Sequence, residues 1–567
     1  MSSLSPATLI LAAGLVLATL IPQHLAPQTV FFGEFALAAA LIVSGWRGAP
    51  GGARVNVPVI ALTALLTLCL AFWPGRAGGV GYALYAALFG LAYLRGAGTR
   101  ETGFVPALAW AMLICALLQS LAGVAQLAGW SLGGLVMQKI YQQAFGNVGQ
   151  ANHYGDLIYL GLASLAWFYG EGRLRAGAAV PCAAWLALAA AASASRSVWL
   201  YIVVFAALGC WAQWRGSDAA RRTGRALLMT VACSLAAQFL AAQTSLLAHF
   251  GAMSSFERAG DASSNGQRLY NWYAGWRAMW ANPWLGEGPG TFYKASIDAM
   301  FATPPAGYPK FAEHAHNLFL NLGAELGLPM ALLVVAAFAW WALRHLRAAP
   351  APTSIWALAC VGVVGAHSMV EYPLWYVYFL VPVALCMGAA DGADTRLPVL
   401  QVSRRLALLI WLAGVGALGW MAHDWLAVRS AYVTLAPYGS NIPLAERLKA
   451  REALARLGPQ SVFALHAESL RLQSWRPDEA GAEQIAADCD AHWQYKPGWF
   501  SMMSCGEAYA LTGNADALDR LTKAFCDGFP YHREYERLWA KGFDDLRVAP
   551  VRIGGRNCLE TNGAPAP

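Results

Sequence analysis

Long apolar runs alternate with short polar segments along most of this chain. The runs are roughly 17 to 25 residues long, which is the length that an α-helix needs to cross the hydrocarbon core of a bilayer. The segments between them are short and contain Arg, Gly and Pro. This pattern predicts an all-α, polytopic helical membrane protein.

The apolar runs predict about thirteen membrane spans. They lie at about 4–22, 28–46, 55–73, 79–94, 104–129, 153–169, 176–192, 197–214, 226–248, 318–343, 354–370, 374–390 and 406–422. The first run has no basic residue before it and no convincing small-residue cleavage site. It is therefore interpreted as an anchor and not as a removed signal peptide.

Basic residues are unevenly divided between the two sets of short loops. With the N-terminus in the cytoplasm, fifteen Lys and Arg fall in inside loops and three, Arg76, Lys139 and Arg196, fall in outside loops. The positive-inside rule then predicts a bacterial inner-membrane protein with its large polar regions on the periplasmic side. We expect a transmembrane domain at 1–423 that includes a periplasmic loop at 249–317, and a C-terminal periplasmic helical domain at 424–567.

Composition agrees with a lipid environment. Of the 567 residues, 57% are hydrophobic and 13% are charged, whereas soluble proteins carry about 25% charged residues. The formal net charge of +7 is spread over loops, and no basic stripe interleaved with aromatics is present. The pattern therefore does not predict nucleic-acid binding.

The C-terminal tail contains four cysteines, Cys489, Cys505, Cys526 and Cys558, whereas the other seven cysteines lie within apolar runs. An even number in an oxidising compartment predicts two disulfides, with three pairings open. A metal site is the weaker alternative because the four form no CxxC pair. The tail itself is predicted to be helical, at 444–457 and 462–472, with a loose likeness to tetratricopeptide repeats but no clean 34-residue period.

Polar residues at membrane boundaries are candidates for function because they are expensive to bury in lipid. The first cluster is GNVGQANH at 146–153, which supplies Asn147, Gln150, Asn152 and His153, with Asp156 one turn further on. A capped helix start is the structural alternative. Four amide or imidazole groups exceed what one cap needs, which favours contact with a ligand.

Arg196 is the second candidate, because it is the only charged residue between 176 and 214 and lies in a predicted outer turn. A lone Arg there could snorkel to the interface. Its guanidinium, however, is suited to paired hydrogen bonds with phosphate oxygens. We therefore predict that Arg196 binds phosphate.

The third cluster lies in the long loop, where Arg268 opens an amphipathic helix that carries Trp272, Trp276 and Trp280. The structural alternative is a helix lying on the bilayer surface with its indoles among the headgroups. Both interpretations can hold, because such a helix can place Arg268 at the depth of a lipid pyrophosphate.

The fourth cluster is EHAHNLFLNLGAELG at 313–327, followed by EYPLWY at 371–376. The first contains His314, His316 and Asn317, and the second contains Glu371 and Tyr372. The two histidines could form part of a metal site, but no third ligand is evident. A histidine beside a basic pocket is better suited to accept a proton from an attacking hydroxyl.

Together, GNVGQANH, the Arg196 turn, NPWLGEGPG at 282–290, HAHNLFLNLGAELG and EYPLWY resemble the bacterial O-antigen ligase and polymerase superfamily. GNVGQANH and EYPLWY look similar to the PglL-type protein O-oligosaccharyltransferases within it. The resemblance covers nearly the whole chain.

This resemblance implies a GT-C-like, metal-independent enzyme without cofactor that takes an oligosaccharide from undecaprenyl pyrophosphate. The acceptor would be a hydroxyl of a secreted protein such as a pilin. By the same resemblance, His316, Gln150 and Tyr372 are the catalytic candidates, and Arg196 and Arg268 would bind the pyrophosphate. Supporting positions are His314, Asn147, Asn152, His153, Asn317 and Glu371.

Three alternatives remain open from the sequence. A ligase acting on lipid A core, or a polymerase extending the glycan, would use the same chemistry. A transporter would place its polar sites at the bilayer midplane within repeated halves, but here the polar clusters gather at one face and no repeat is evident. A membrane-anchored peptide-binding scaffold would leave the Arg and His clusters unexplained.

Overall fold

The computed structural model describes residues 4–22, 24–48, 52–73, 78–98, 103–243, 253–259, 262–302, 311–435, 442–477 and 479–529, and the strand segments 552–553 and 556–557. Over these residues the chain is almost entirely helical. The predicted fold class, an all-α polytopic membrane protein, is confirmed.

The described residues form twenty-two α-helices. Their bounds are α1 Pro6–Leu20, α2 Phe31–Gly48, α3 Val57–Ala71, α4 Gly78–Ala97, α5 Phe104–Leu127, α6 Ala151–Gly170, α7 Ala176–Ala192, α8 Ser197–Arg215, α9 Asp218–Gln243, α10 Ser255–Ala259, α11 Ala262–Ala281, α12 Phe292–Met300, α13 Leu318–Leu326, α14 Leu328–Arg347, α15 Pro352–His367, α16 Val377–Gly392, α17 Arg404–Leu435, α18 Leu444–Ala455, α19 Ala464–Gln473, α20 Ala482–His492, α21 Trp499–Leu511 and α22 Ala515–Gly528.

Short elements join some of these helices. Single 3₁₀ turns occur at Leu132–Gly134, Gly146–Val148 and Pro373–Trp375. Two small antiparallel ribbons pair β1 (Ala53–Arg54) with β2 (Val399–Leu400), and β3 (Arg552–Ile553) with β4 (Arg556–Asn557).

Every predicted span coincides with one or more helices. Among the described residues, six helices are long and apolar enough to cross a membrane by length and composition: α4, α5, α8, α9, α14 and α17. Six more are apolar but shorter: α1, α2, α3, α7, α15 and α16. The number of thirteen crossings stays a prediction.

The span predicted at 318–343 differs from the structure, which has two helices there, α13 and α14. They are separated at Gly327, whose φ of +83° favours glycine. A Cβ at this position would lie 2.4 Å from the carbonyl oxygen of Trp284. The NPWLGEGPG loop closes the break, because Leu328 N–H donates to the Pro283 carbonyl and Gly288 N–H donates to the Glu325 carbonyl.

The chain forms two compact units, each assembled from separate segments. The first unit comprises Met1–Leu68, Leu84–Ala262 and Leu333–Leu418. Helix α6 is buried over almost its whole length there, between α5, α7, α9 and α15. Asn152, His153 and Asp156 are carried by this helix, so the polar residues of the first motif are inside the unit.

The second unit comprises Cys69–Ala83, Ser263–Leu332 and Gly419–Pro567. The predicted tail helices correspond to α18 and α19. Tail side chains, including Trp475, Met502 and Phe525, form a core with Ile297 of α12. Within this unit, therefore, the long loop and the tail share a hydrophobic core. The predicted domain boundary at 423/424 stays a prediction.

One predicted disulfide joins Cys489 of α20 to Cys505 of α21, with their Cα atoms 5.7 Å apart. Cys526 is disulfide-bonded as well, and Cys558 lies outside the described residues. The seven cysteines in the apolar helices are free thiols.

Candidate active site

The residues predicted from the motifs fall into two groups, one in each unit. The first unit holds Asn147, Gln150, Asn152, His153, Arg196, Glu371 and Tyr372. The second unit holds Arg268, His314, His316 and Asn317. The meeting of the two groups in one cavity stays a prediction.

Asn152, Ser195 and Glu371 form a hydrogen-bonded set that we call the outer layer. The Asn152 side-chain amide donates to a Glu371 carboxylate oxygen over 3.3 Å, and the Ser195 hydroxyl donates to the Asn152 side-chain oxygen over 2.9 Å. All three residues are buried. Two predicted residues, Asn152 and Glu371, are thus brought together although 219 positions separate them.

Arg196 directly follows Ser195 and is the N-cap residue of α8. The turn before it is tight: Ala194 has a φ of +49°, and Ser195 N–H donates to the Ser193 hydroxyl over 3.1 Å. A non-glycine residue in the left-handed region is strained and persists only where its surroundings hold it there. The half-buried Arg196 therefore lies on a turn whose shape is fixed by its neighbours.

A second polar set, which we call the inner layer, contains Asp156, Tyr201 and His367. His367 Nδ1 lies 2.7 Å from one carboxylate oxygen of Asp156, and the Tyr201 hydroxyl donates to the other. Asp156 and His367 have no solvent exposure, and neither has Tyr201. His367 and Tyr201 were missed from the sequence, because each is a single polar residue within an otherwise apolar run.

His153 connects the inner layer to the EYPLWY motif, because its ring centroid lies 6.1 Å from that of His367. Its Nδ1 lies 2.9 Å from the Tyr378 hydroxyl, and its ring lies 4.4 Å from that of Tyr376. Tyr376 in turn stacks on the half-buried Tyr372 with ring centroids 6.0 Å apart. An aromatic path therefore leads from His153 to the predicted Tyr372.

Asn147 and Gln150 differ in how their side chains are engaged. The Asn147 amide donates to the Leu20 and Leu135 carbonyls, and its side-chain oxygen accepts from Met137 N–H. These bonds to backbone hold the loop before α6. The half-buried Gln150 is the N-cap residue of α6, and its side chain makes no cap hydrogen bond. The Asn147 side chain is thus engaged by backbone groups, whereas the Gln150 side chain does not cap α6.

Glu34 is a further buried carboxylate that sequence reasoning did not single out. It accepts from the Tyr85 hydroxyl and from Val377 N–H, each over 3.2 Å. Val377 is the first residue of α16, so the carboxylate satisfies an amide that the helix leaves without an internal partner. A lone Glu near the start of an apolar run was the available signal.

In the second unit, the backbone at His316 is unusual. His316 has a φ of +53°. Its carbonyl accepts from the Trp272 indole over 3.3 Å, and the neighbouring Ala315 N–H donates to the Asn321 side chain over 2.8 Å. Asn317 caps α13 through Leu320 N–H. Left-handed non-glycine residues cluster at functional sites, which supports the importance of His316.

Arg268 was predicted to open the amphipathic helix, but α11 begins six residues earlier, at Ala262. Arg268 lies four residues before Trp272 on this helix. Positions four apart occupy the same side of a helix. Because Trp272 contacts the His316 carbonyl, Arg268 is on the side of α11 that faces residues 313–317, which we call the histidine loop. Trp276 and Trp280 are each 53% exposed, as expected for indoles at a membrane interface.

Unlike His316, His314 lies near a group of charged side chains that includes residues of the tail. Glu313 pairs with Lys496 over 3.3 Å. The Glu313 side chain is 55% exposed. Partial desolvation by neighbouring groups opposes its ionisation, but Lys496, His314 and His466 together lower its pKa to about 2. Burial and the Lys496 charge lower the pKa of His466 to about 3. His314 thus neighbours a carboxylate, whereas the His316 carbonyl is held by Trp272.

The contacts of Glu325 stabilise the fold around the end of α13. It is buried on α13 and accepts from the Tyr82 hydroxyl over 2.5 Å and from Phe292 N–H over 3.2 Å. A Cβ at Gly286 of the NPWLGEGPG loop would lie 2.4 Å from the Glu325 backbone carbon. The glycine-rich motif therefore packs backbone against backbone on the end of α13.

Two family models match ranges that contain the motifs from Arg196 onward, whereas GNVGQANH precedes both ranges. Residues 181–335 match the family model described as O-Antigen ligase. Residues 355–537 match the model described as Virulence factor membrane-bound polymerase, C-terminal. The first match includes Arg196, Arg268 and His316, and the second includes Glu371 and Tyr372.

Two curated proteins of Acinetobacter baylyi are similar to this chain. A general O-oligosaccharyltransferase is 25% identical over 296 residues, which is 51% of each chain. A ComP-specific O-oligosaccharyltransferase is 24% identical over 175 residues, which is 31% of each chain. The chain thus spans about half the length of the first relative and about a third of the second. The resemblance inferred from the motifs is confirmed.

Proposed function

We propose that this chain is a bacterial inner-membrane O-oligosaccharyltransferase. It moves an oligosaccharide from undecaprenyl pyrophosphate to a Ser or Thr hydroxyl of an exported protein, on the periplasmic face. The observation that carries the proposal is the presence of Arg196, Arg268 and His316 within the O-antigen ligase match, in a chain whose relatives are named as O-oligosaccharyltransferases.

The chemistry is a direct displacement at the first sugar. The acceptor oxygen forms a bond to the anomeric carbon while the bond to the pyrophosphate oxygen breaks, which inverts that carbon. The hydroxyl proton passes to the His316 imidazole, and the bonding electron pair leaves with the pyrophosphate. Arg196 and Arg268 stabilise the charge that develops there. Pyrophosphate is a good leaving group, so in this proposal the two guanidinium groups act without a metal ion.

Gln150 and Tyr372 have supporting roles in this proposal. Both are half-buried. The Gln150 amide can orient a sugar hydroxyl, and the Tyr372 ring, stacked on Tyr376, can form one wall for the sugar. These roles require the two groups of residues to meet in one cavity.

A ligase or polymerase is the second candidate, because both family models carry such descriptions. The acceptor decides between them. Purified protein would be incubated with a lipid-pyrophosphate glycan and, in separate reactions, with a pilin-like protein, lipid A core, or a second molecule of the glycan donor. We expect sugar to be added to the protein alone. Transfer only to lipid A core, or only to glycan, would replace the proposal with the second candidate.

A further inference from the structure

Three segments of the first unit, namely α6, the end of α15 with the turn after it, and the start of α8 with the turn before it, each supply one residue to the outer layer and one to the inner layer. On α6, Asn152 of the outer layer precedes Asp156 of the inner layer by four residues. His367 is the last residue of α15, and Glu371 follows it by four residues. Ser195 and Tyr201 lie six residues apart, before and within α8. Four residues of helix rise by about 6 Å, so the inner layer lies roughly one turn deeper than the outer layer.

The inner layer is a built polar site in an apolar interior. Both carboxylate oxygens of Asp156 are engaged, one by His367 Nδ1 and the other by the Tyr201 hydroxyl. His367 Nε2 is buried and has no hydrogen-bond partner among the described residues. A buried polar or ionic set is often no more stable than well-packed apolar side chains of similar volume. Stability alone therefore does not account for this set.

Two members of the inner layer, His367 and Tyr201, are tied to predicted site residues. The His367 carbonyl accepts from Val370 N–H and Glu371 N–H, each over 2.9 Å, so His367 starts the turn that leads to Glu371 and Tyr372. Tyr201 lies on the helix whose N-cap residue is Arg196. Asp156, on α6, contacts both His367 and Tyr201.

We propose that Asp156, His367 and Tyr201 are positioning residues that fix the Arg196 turn and the Glu371 turn for binding of the lipid-pyrophosphate donor. This proposal rests on the proposed function. The three residues are fully buried and act through the outer layer, without contacting the donor. Loosening the inner layer should weaken use of the donor and leave the acceptor unaffected.

The chain supplies a matched control in a second Tyr–Asp–His set. The Tyr93 hydroxyl donates to Asp391 over 2.5 Å, and His345 Nε2 lies 2.9 Å from the other Asp391 oxygen. All three are buried. Asp391 lies thirteen residues after Tyr378 on α16, about 20 Å further along the helix. The Tyr–Asp–His arrangement is matched, Asp391 has in addition Arg344 Nη1 at 3.9 Å, and the set is remote from Arg196.

The first test compares Asp156→Asn with Asp391→Asn in initial-rate measurements, varying donor and acceptor separately. We expect Asp156→Asn to raise the donor KM and to lower kcat/KM for donor about tenfold, with the acceptor KM unchanged. Asp391→Asn should stay within about twofold of wild type. Equal effects of the two variants, or a change confined to the acceptor KM, would overturn the proposal.

The second test combines each variant with Arg196→Lys. If Asp156 acts through the Arg196 turn, its replacement should cost much less in the Arg196→Lys background than in wild type, whereas the Asp391→Asn effect should multiply unchanged. Full multiplication by Asp156→Asn would overturn the proposal. Tyr201→Phe keeps the ring and removes one hydrogen bond, and it is judged by the same criteria if Asp156→Asn does not fold.

Failure of the proposed function would be seen separately. It would appear as wild-type protein that transfers sugar to no acceptor. In that case, the inner layer can still be tested by donor binding. A thermal-shift assay would measure binding of the lipid-pyrophosphate donor to wild type, Asp156→Asn and Asp391→Asn. Weaker binding in Asp156→Asn alone supports it, and equal binding in all three overturns it.

Discussion

Three non-glycine residues among those described have a positive φ: Leu132, Ala194 and His316. Two of the three adjoin or coincide with predicted functional positions, since Ala194 precedes the Arg196 turn and His316 is the predicted base. Such backbone costs of order 1 to 3 kcal/mol per residue. The neighbouring hydrogen bonds from Ser195 N–H and the Trp272 indole help to maintain it.

His316→Ala should abolish transfer and leave lipid-linked donor bound, because the arginines that bind pyrophosphate remain. Loss of a general base typically costs about a hundredfold to ten-thousandfold in rate. His314→Ala is the control and should cost much less. Transfer and donor binding would be measured on both purified variants. An inactive His314→Ala protein beside an active His316→Ala protein would contradict the assignment.

Arg196→Lys should lose most transfer activity while the protein still inserts and folds. Lys keeps the positive charge but not the planar, paired donors that match phosphate oxygens. Arg222→Lys is the matched control, since Arg222 donates to the Gly170 carbonyl and is not among the predicted site residues. Turnover and thermal midpoint would be compared. Normal turnover of Arg196→Lys would indicate that this Arg only snorkels to the interface.

Sequence pattern found Asn152 and Glu371 of the outer layer and Asp156 of the inner layer. It did not find His367 and Tyr201, the partners of Asp156. Asn152 and Glu371 belong to polar clusters at predicted span ends, where several polar groups together exceed what a helix cap needs. His367, Tyr201 and Glu34 are single polar residues in apolar runs, and their importance depends on partners 45 to 343 positions away. No local pattern contains that information.

At the scale of elements, the break between α13 and α14 depends on Gly327. Gly327→Ala should destabilise the protein by about 1 to 3 kcal/mol, because alanine is strained at a φ of +83° and its Cβ would meet the Trp284 carbonyl. Gly416→Ala is the control. Gly416 lies within α17, and no neighbouring atom lies within 4 Å of the place that an alanine methyl would take, so alanine there should be neutral or slightly stabilising. Thermal unfolding in detergent would compare them, and equal midpoints would contradict the expectation.

The contact between the histidine loop and the tail should make stability depend on pH. The folded pKa of His466 is about 3, below its ordinary value of 6.5, so the unfolded state binds the extra proton and stability falls as pH decreases from about 6.5 toward 3. Glu313, with a pKa of about 2, adds a further loss below about 4.5.

Wild-type protein should show a fall in the thermal unfolding midpoint from about pH 6.5, the ordinary pKa of histidine, to about pH 4.5. His466→Gln should reduce that fall. The exposed His423, 77% accessible, provides the control variant His423→Gln, which should retain the wild-type fall. Tryptophan fluorescence during heating would follow both. A wild-type pH dependence in His466→Gln would show that this histidine does not titrate over that range.

Helix positions were largely predictable because the hydrocarbon core sets the length of an apolar run. The predicted run 176–192 coincides with α7, and 197–214 ends one residue before α8 does. The break at Gly327 was not predictable. Both flanking helices are apolar, and the reasons for glycine, the positive φ and the approach of Trp284, are visible only in the structure. The joint core of α12 and the tail was equally hidden, since it joins Ile297 to residues such as Trp475.

At the scale of the whole molecule, the predicted orientation in the membrane is based on charge asymmetry, and the tail disulfide agrees with it. Fifteen basic residues against three predict that the loop and the tail are periplasmic. The Cys489–Cys505 bond agrees, because disulfides persist in oxidising compartments. The sequence predicts that the four tail cysteines lie in that compartment, but it could not choose their pairing.

Thiol labelling of the unfolded, non-reduced protein tests this arrangement. We expect the seven cysteines of the apolar helices to be modified and the four tail cysteines to be protected. Reduction before labelling should raise the number to eleven, the total in the chain. Mass spectrometry would count the labels. Modification of all eleven without reduction would contradict both the disulfides and the proposed periplasmic tail.

The bond between Tyr82 and Glu325 sets a waiting time during biosynthesis. The two residues are 243 positions apart, and at about 5 to 20 residues per second the ribosome needs roughly 12 to 50 s to travel from one to the other. Throughout that interval the carboxylate that the Tyr82 hydroxyl later contacts has not been synthesised. This contact within the second unit can therefore form only late, after α13 has left the ribosome.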